Sequence, residues 1–166
     1  VVILAPAIAT NMTWIPFLFN NNEEFRVIRT YKDIEDVPQG IFLVLSTSMV
    51  GKLKRDLMRF VKISSRKLCL VFDESDEITN PSSQRTKHIL AVFRRLKYKI
   101  LDTGTTTRNN IAELYSQFEL LYNNSVNMTC WCSSIYHENK DKEIESERNL
   151  HCGEPFPAFR GHVLFS

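Results

Sequence analysis

The chain has 166 residues, of which 43% are hydrophobic and 24% are charged, and its formal net charge is +2. This composition is that of one ordinary globular domain, and it excludes collagen-like, disordered and disulfide-scaffold proteins. No apolar run approaches the about 20 residues that a membrane-spanning helix needs. The mild positive charge neither requires nor excludes a nucleic-acid partner.

The cysteines and the first residues favour a location inside the cell. Four cysteines are too few for a disulfide framework in a chain of this size, and Cys69 lies in an apolar run typical of a buried free thiol. The opening VVILAPAIA lacks the basic leader of a signal peptide. We therefore expect an intracellular protein, cytoplasmic in a bacterium or phage and nuclear in a eukaryote. Because the chain starts with Val and has strand-like runs at both ends, we also expect it to be part of a longer protein.

Short apolar runs alternate with helical patterns along the chain. The predicted strands cover residues 1–5, 25–29, 41–45, 67–72, 98–101 and 163–165. The runs IFLVL and LCLVF are apolar on both faces, which is typical of parallel strands covered on both sides. This alternation predicts an α/β fold, a three-layer sandwich with a mainly parallel sheet.

Helices are predicted between the strands, each with a polar residue at its start. The expected N-caps are Thr13 for a helix that includes Pro16, Ser48, then Ser82 or Ser83, and finally Asn110 with Glu113 in a capping box. From about residue 123 the alternation stops, and the stretch HENKDKEIESERN is highly charged. We therefore divide the chain into a domain at 1–122 and, at 123–166, an insertion with a charged loop that returns to a final strand.

Carboxylates follow the apolar strand at 67–72. The sequence there is Asp73-Glu74-Ser75-Asp76. Ligands of open α/β sheets bind at the carboxyl ends of strands, and an acidic pair at such a place can hold magnesium and orient a water. The same residues also suit an ordinary loop or helix cap.

A second polar junction follows the strand at 98–101. It reads Asp102-Thr103-Gly104-Thr105 and leads through a polar turn to the predicted helix at 111–121. Taken alone, this is a common strand–turn–helix connection.

In this order, the two junctions resemble motifs II and III of the Swi/Snf family of helicase-like ATPases, within the superfamily-two helicases. The acidic box, which is Asp73–Asp76, and the next residue are followed by ITNPSSQRTK, where the family has a segment like IKNPxSKRTKAL. The stretch LDTGTTTRNNIAELY is similar to the family's LTGTPIQNNLEELY. Upstream, VVILAPAIATNMTW resembles motif Ia and IFLVLSTSMV resembles motif Ib. The resemblance covers residues 1–122.

The resemblance implies a RecA-like (P-loop NTPase) lobe, the first of two lobes that clamp ATP. In such a lobe Asp73 holds Mg²⁺, usually through water, and Glu74 polarises the attacking water. Asp76, Thr103 and Thr105 lie in the motifs that line the nucleotide site and couple it to the nucleic-acid surface.

The resemblance also implies contacts with DNA, and it favours a double-stranded partner. The residues expected at the backbone phosphates are Pro6, after the first strand, and Ser46, Thr47 and Ser48. The implied partners are therefore DNA and the second RecA-like lobe of the full-length chain, and no membrane.

The chain departs from the family pattern at three motif positions. Asp76 stands where the family usually has His, Thr106 where it has Pro, and Arg108 where it has Gln. A nucleotide hydrolase of this kind also needs a glycine-rich phosphate loop, and only Gly51-Lys52 looks like the end of one. Ser46 stands where the first glycine is needed and Leu53 cannot ligate magnesium, so we reject this loop. We therefore expect the lobe to be incomplete at its N-terminus.

The leading hypothesis is the first ATPase lobe of an ATP-dependent DNA translocase or helicase-like protein, with ATP and Mg²⁺ as cofactors. The alternative is a non-catalytic interaction or structural module with a degenerate acidic box. A third reading is a magnesium-dependent phosphatase or nuclease that uses Asp73, Glu74 and Asp76. A zinc site is not favoured, because its candidate ligands do not have the usual knuckle spacings: Cys130, Cys132, His151 and Cys152.

One cluster of cationic residues has two interpretations. Cations recur around the predicted helix after Ser48, at Lys52, Lys54, Arg55, Arg59, Lys62, Arg66 and Lys67. Such a strip can neutralise phosphates, and it also suits a solvated helix face.

Overall fold

A computed structural model describes residues 1–64, 67–105 and 114–122. Its sheet contains β1 (Val2–Ala5), β2 (Phe25–Ile28), β3 (Phe42–Ser46), β4 (Cys69–Asp73) and β5 (Tyr98–Asp102). The strand order is β2-β3-β1-β4-β5, and every neighbouring pair is parallel. The five predicted strands within the described ranges and the mainly parallel sheet are therefore confirmed. The strand predicted at 163–165 lies outside the described residues.

Six α-helices are described, of which five connect the strands and the last follows β5. They are α1 (Ala7–Ala9), α2 (Ile15–Asn20), α3 (Thr47–Val50), α4 (Lys54–Ser64), α5 (Gln84–Phe93) and α6 (Tyr115–Leu121). A π-helical turn at Thr10–Trp14 joins α1 to α2, and 3-10 turns occur at Tyr31–Ile34 and Ser75–Ile78. No described helix is long and apolar enough to cross a membrane.

The helices form a layer on each face of the sheet. Alternate strand residues, including Leu4, Leu45 and Phe72, face a large core that also contains Leu57 of α4 and Ile89 of α5. The opposite residues face the helical segment 7–20 through a smaller core. The expected three-layer sandwich is thus confirmed, and a RecA-like lobe has this architecture.

The predicted helix start at Thr13 is wrong. The helical segment begins at Ala7 with Pro6 as N-cap, so Thr13 lies inside it. Pro16 has no N–H to donate, and a proline normally breaks a helix beyond its first turn. Here a π turn precedes it, in which the Ile15 N–H bonds to the Thr10 carbonyl five residues earlier. We infer that this wider turn lets the helix continue through the proline.

The start predicted at Ser48 is also wrong, whereas the one at Ser83 is confirmed. The helix after β3 begins two residues earlier, with Ser46 as N-cap and Ser48 inside α3. In α5, the Ser83 hydroxyl accepts a hydrogen bond from the Thr86 N–H at 3.1 Å. The predicted capping box of Asn110 and Glu113 and the insertion at 123–166 lie outside the described residues.

Candidate functional site

The candidate residues converge on the carboxyl edge of the sheet. In register, Ala5 of β1 lies beside Ser46 of β3, and Asp73 of β4 lies beside Asp102 of β5. The chain leaves β1 towards β2 and leaves β4 towards β5, so the connections diverge between these two neighbouring strands. Such a switch point forms the crevice in which open α/β sheets bind ligands.

Asp73 is the last residue of β4 and is half-buried. The indole Nε1–H of Trp14 donates a hydrogen bond of 2.7 Å to its Oδ2. Trp14 belongs to the π turn, which packs on the smaller core. The bond therefore joins the helical layer on that face of the sheet to the carboxyl end of β4. A charge-assisted bond of this length orients the carboxylate and leaves Oδ1 for a cation or its water shell.

Glu74 has a left-handed backbone conformation, with φ 54° and ψ 51°. A non-glycine residue in this region is strained, and such strain recurs at functional sites. Here it turns the chain abruptly from β4 into the 3-10 turn, and Glu74 is exposed. Partial desolvation, followed by the negative charges of Asp76 and Asp73, raises the pKa of the Glu74 carboxyl. A carboxylate with a raised pKa is a better proton acceptor at neutral pH than an ordinary glutamate.

Asp76 connects the acidic turn, which is Asp73–Asp76, to the second polar junction at Asp102–Thr105. Its side chain is buried, with 5% of its surface exposed. The Thr103 hydroxyl lies 3.2 Å from Asp76 Oδ1 and 3.1 Å from the Thr105 carbonyl, so its single proton can be donated to either oxygen. The Thr105 N–H donates to the same hydroxyl at 3.2 Å. The structure therefore brings Asp76 together with Thr103, which is 27 residues further along the chain, and with its near neighbour Thr105.

The residues expected at DNA lie on the same edge of the sheet, at the ends of β1 and β3. Pro6 follows β1 and is half-buried, and the hydroxyls of Ser46 and Ser48 lie 3.0 Å apart. Thr47 is buried, with 4% of its surface exposed, which leaves the two serine hydroxyls as the accessible donors. Neighbouring strands are about 4.8 Å apart, so these serines lie roughly 10 Å from the acidic turn.

The region around Gly51 is helical and does not form a phosphate loop. Gly51 has φ −64° and ψ −41°, and the Leu53 N–H bonds to the Met49 carbonyl at 3.0 Å. A Cβ built on Gly51 would lie 2.7 Å from Nδ1 of His88. The glycine therefore lets α5 approach this turn closely, which gives it a packing role.

The segment after the acidic turn has a clear local role. Asn80 Oδ1 accepts a hydrogen bond from the Ser82 N–H at 2.9 Å, Ser83 caps α5, and Arg85 forms a 3.1 Å ion pair with Glu77. These contacts fix the turn that leads from the 3-10 helix into α5. Much of the NPSSQR pattern is thus explained by the local fold.

The side chains at the acidic turn could accept a metal ion. Within the described ranges, no three His, Cys, Asp or Glu side chains form a ready metal cluster. One half-buried aspartate with a free oxygen nevertheless fits Mg²⁺, which keeps several waters and takes one or two protein carboxylates. The cysteines and histidine considered for zinc lie outside the described residues.

Sequence reasoning did not assign a role to Trp14 at the acidic site. The tryptophan and Asp73 are 59 residues apart. The available signal was a tryptophan in the motif Ia-like helix, since a buried indole N–H usually needs an acceptor.

The chain is similar to known proteins in sequence and in fold. No protein-family model matches the chain. Over 104 residues the chain is 27% identical to the SWI/SNF-related matrix-associated actin-dependent regulator of chromatin subfamily A-like protein 1 of Xenopus laevis. The alignment covers 63% of this chain and 10% of that protein.

Among solved structures, the chain is similar to the SWI2/SNF2 ATPase core of Sulfolobus solfataricus in complex with dsDNA. The TM-score is 0.64 at 17% sequence identity, with 91% of this chain and 31% of that chain covered. At this identity the likeness shows the fold, and the chain spans less than a third of either relative. Together, the parallel sheet, the curated relative and the solved core confirm that this chain resembles the Swi/Snf-type helicase-like ATPases.

Proposed function

We propose that the protein carrying this chain hydrolyses ATP and couples hydrolysis to movement on duplex DNA, with this chain contributing to the first RecA-like lobe. The observation that carries the proposal is the hydrogen bond between Thr103 and Asp76, because it joins the two motif-like junctions at one sheet edge. The relatives support it: one is an SWI/SNF-related protein and the other is an ATPase core in complex with dsDNA.

Each residue has a definable task in this reaction. Asp73, whose carboxylate is oriented by Trp14, would hold Mg²⁺, directly or through water. The ion, when bound, neutralises the developing charge on the phosphates. Glu74 orients a water and accepts its proton, for which its raised pKa suits it.

Thr103 supplies a link between the turn at Asp73–Asp76 and the loop that follows β5. Its hydroxyl has two acceptors within reach, Asp76 and the Thr105 carbonyl. A change of charge at the acidic turn can shift which of them receives the proton. The neighbouring loop then has two hydrogen-bonding states, which is the requirement for coupling two sites.

The test uses two variants of the full-length protein. Glu74→Gln should retain ATP binding and reduce DNA-stimulated turnover by about two or more orders of magnitude, the scale of losing a positioned general base. Asp73→Asn should weaken Mg²⁺–ATP binding itself, because the charge that faces the cation is lost. Nucleotide affinity, turnover and melting temperature are measured on the same samples.

The matched control is Glu77→Gln, the same substitution three residues further along. Glu77 pairs with Arg85 and has no role in the proposed chemistry. We expect its turnover per folded molecule to be that of the parent. If Glu74→Gln retains turnover within a few-fold of the parent, the catalytic assignment fails and a non-catalytic interaction module is the better description.

A further inference from the structure

The outward face of α4 and the turn that precedes it carry a strip of exposed cations, which we call the α4 strip: Lys52, Arg55, Arg59 and Lys62. The buried residues of the same helical stretch are Leu53, Leu57 and Val61. At about 100° per residue, the centres of the two sets lie roughly 180° apart around the helix. The strip therefore points directly away from the core.

The charge of this region is concentrated and unneutralised within the described residues. Residues 52–62 contain five cationic side chains and one carboxylate, Asp56, a net charge of +4, whereas the whole chain carries +2. In the part of the chain that the structure describes, the ion pairs are Arg85–Glu77 and Arg94–Glu119, and neither involves α4. An accumulation of like charge without internal partners attracts an anionic ligand.

The dimensions of the strip fit a nucleic-acid backbone. With a rise of about 1.5 Å per residue, Lys52 and Lys62 are about 15 Å apart along the helix. One DNA strand presents a phosphate about every 3.4 Å of its axis, so the strip spans about four phosphates. Its first residue lies six positions after Ser46, at the edge where the Ser46 and Ser48 hydroxyls lie together. Hydroxyls and cations side by side are the usual donors to phosphate.

We propose that the α4 strip binds the phosphate backbone of a DNA duplex and extends the contact surface that begins at Ser46 and Ser48. The inference rests on the proposed function, to which it adds a second, sequence-independent patch of DNA contacts. The strip lies outside the motif-like segments, so it contributes affinity and position on the duplex and takes no part in hydrolysis.

The experiment measures the salt dependence of DNA binding. Arg55→Gln, Arg59→Gln and Lys62→Gln are combined in the full-length protein, and binding to a fluorescent duplex is followed by anisotropy at several salt concentrations. Each lost phosphate contact reduces the slope of log K against log salt by about 0.9. We expect the slope to fall by about 2 to 3 and affinity at low salt to fall at least about tenfold.

The control removes the same charge elsewhere. Lys87, Arg95 and Lys97 are exposed and lie outside both the α4 strip and the cation cluster of the sequence from which it was drawn. The triple glutamine variant at these positions should retain the parental slope and affinity. Because all six residues are exposed, both variants should fold, and circular dichroism checks that they do.

Three results would overturn the proposal. The α4 variant could bind DNA like the parent, both triple variants could lose affinity equally, or the α4 variant could lose binding only to phosphatidylglycerol vesicles. A parent protein that fails to bind duplex DNA would instead refute the proposed function. The two failures are therefore distinguishable.

Discussion

The hydrogen bond from Trp14 to Asp73 determines how the end of β4 presents its charge. Carboxylates at a strand end have rotational freedom, and a cation site needs them in one orientation. The 2.7 Å bond fixes one oxygen, and the edge-to-face contact of Trp14 with Phe17, with ring centroids 6.2 Å apart, holds the indole. Trp14 is in this view a positioning residue for the site.

Trp14→Phe should therefore separate orientation from packing. Phenylalanine keeps an aromatic ring and removes the donor. Because water can replace part of the bond at a half-buried aspartate, we expect a loss of about 1 kcal/mol, or roughly a fivefold higher KM for Mg²⁺–ATP in the full-length protein. Phe17→Leu removes the ring contact while the donor remains, and its KM should rise less than that of Trp14→Phe. Equal KM values for Trp14→Phe and the parent would contradict the positioning role.

The ionised carboxylate of Glu74 should reduce the stability of the folded protein at neutral pH. Its pKa is raised by desolvation and by Asp76 and Asp73, so the folded state holds a proton more tightly than the unfolded state does. Stability is then greatest below the ordinary pKa of 4.5 and declines as the pH rises through the raised value. Glu74→Gln should increase the melting temperature slightly at pH 7, and the difference should vanish near pH 4. Thermal unfolding of both proteins across this range measures it, and a lower melting temperature for the variant at pH 7 would contradict it.

Gly51, between α3 and α4, lies in close contact with His88 of α5. His88 of α5 packs on the bare Cα, and a Cβ there would come within 2.7 Å of its ring. In a helical conformation, alanine is otherwise about 1 kcal/mol better than glycine. Two opposing effects therefore act at one position.

The effect of Gly51→Ala on the unfolding free energy should change sign when His88 is replaced. In the parent, the overpacking should outweigh helix propensity and lower the unfolding free energy by about 1 kcal/mol. In a His88→Ala background the clash is gone, and the same substitution should raise it by about 0.5 to 1 kcal/mol. Urea unfolding of the four proteins in a double-mutant cycle tests this. Equal effects in the two backgrounds would show that His88 does not explain the glycine.

Elements with strong local patterns could be predicted from the sequence. The apolar runs IFLVL and LCLVF lie in β3 and β4, and the Ser83 cap lies where the pattern placed it. The π turn at Thr10–Trp14 could not be predicted, because the helix continues through Pro16 only with a locally altered hydrogen-bond register. The candidate site, too, could be predicted only in part. The acidic box was evident, whereas the Trp14–Asp73 bond and the left-handed Glu74 depend on long-range packing and on a turn geometry without a local signature.

At the scale of the whole molecule, the described lobe provides only part of what phosphoryl transfer requires. It presents carboxylates and hydroxyls at one edge, but the glycine-rich phosphate loop pattern does not occur in the 166 residues. Catalysis of this reaction consists mostly of positioning and charge neutralisation, and that loop supplies much of both.

The 166-residue chain alone should therefore not hydrolyse ATP at a useful rate. Phosphate release by the purified chain, with Mg²⁺ and duplex DNA, should equal that of its Glu74→Gln variant and of buffer. The full-length protein in the same assay provides the positive control. Robust turnover by the chain that Glu74→Gln abolishes would show that these residues suffice for the reaction.

The central position of β1 has a consequence during synthesis. β1 leaves the ribosome before its neighbours, yet its partners β3 and β4 start only at Phe42 and Cys69. At about 5 to 20 residues per second, the strand waits roughly 3 to 14 seconds for both edges to be paired. Throughout this time Val2, Ile3 and Leu4, nearly inaccessible to solvent in the finished fold, remain available to other nascent chains and to chaperones. Slower translation of residues 6–68 prolongs that exposure, so codon choice in this interval should affect the yield of folded protein.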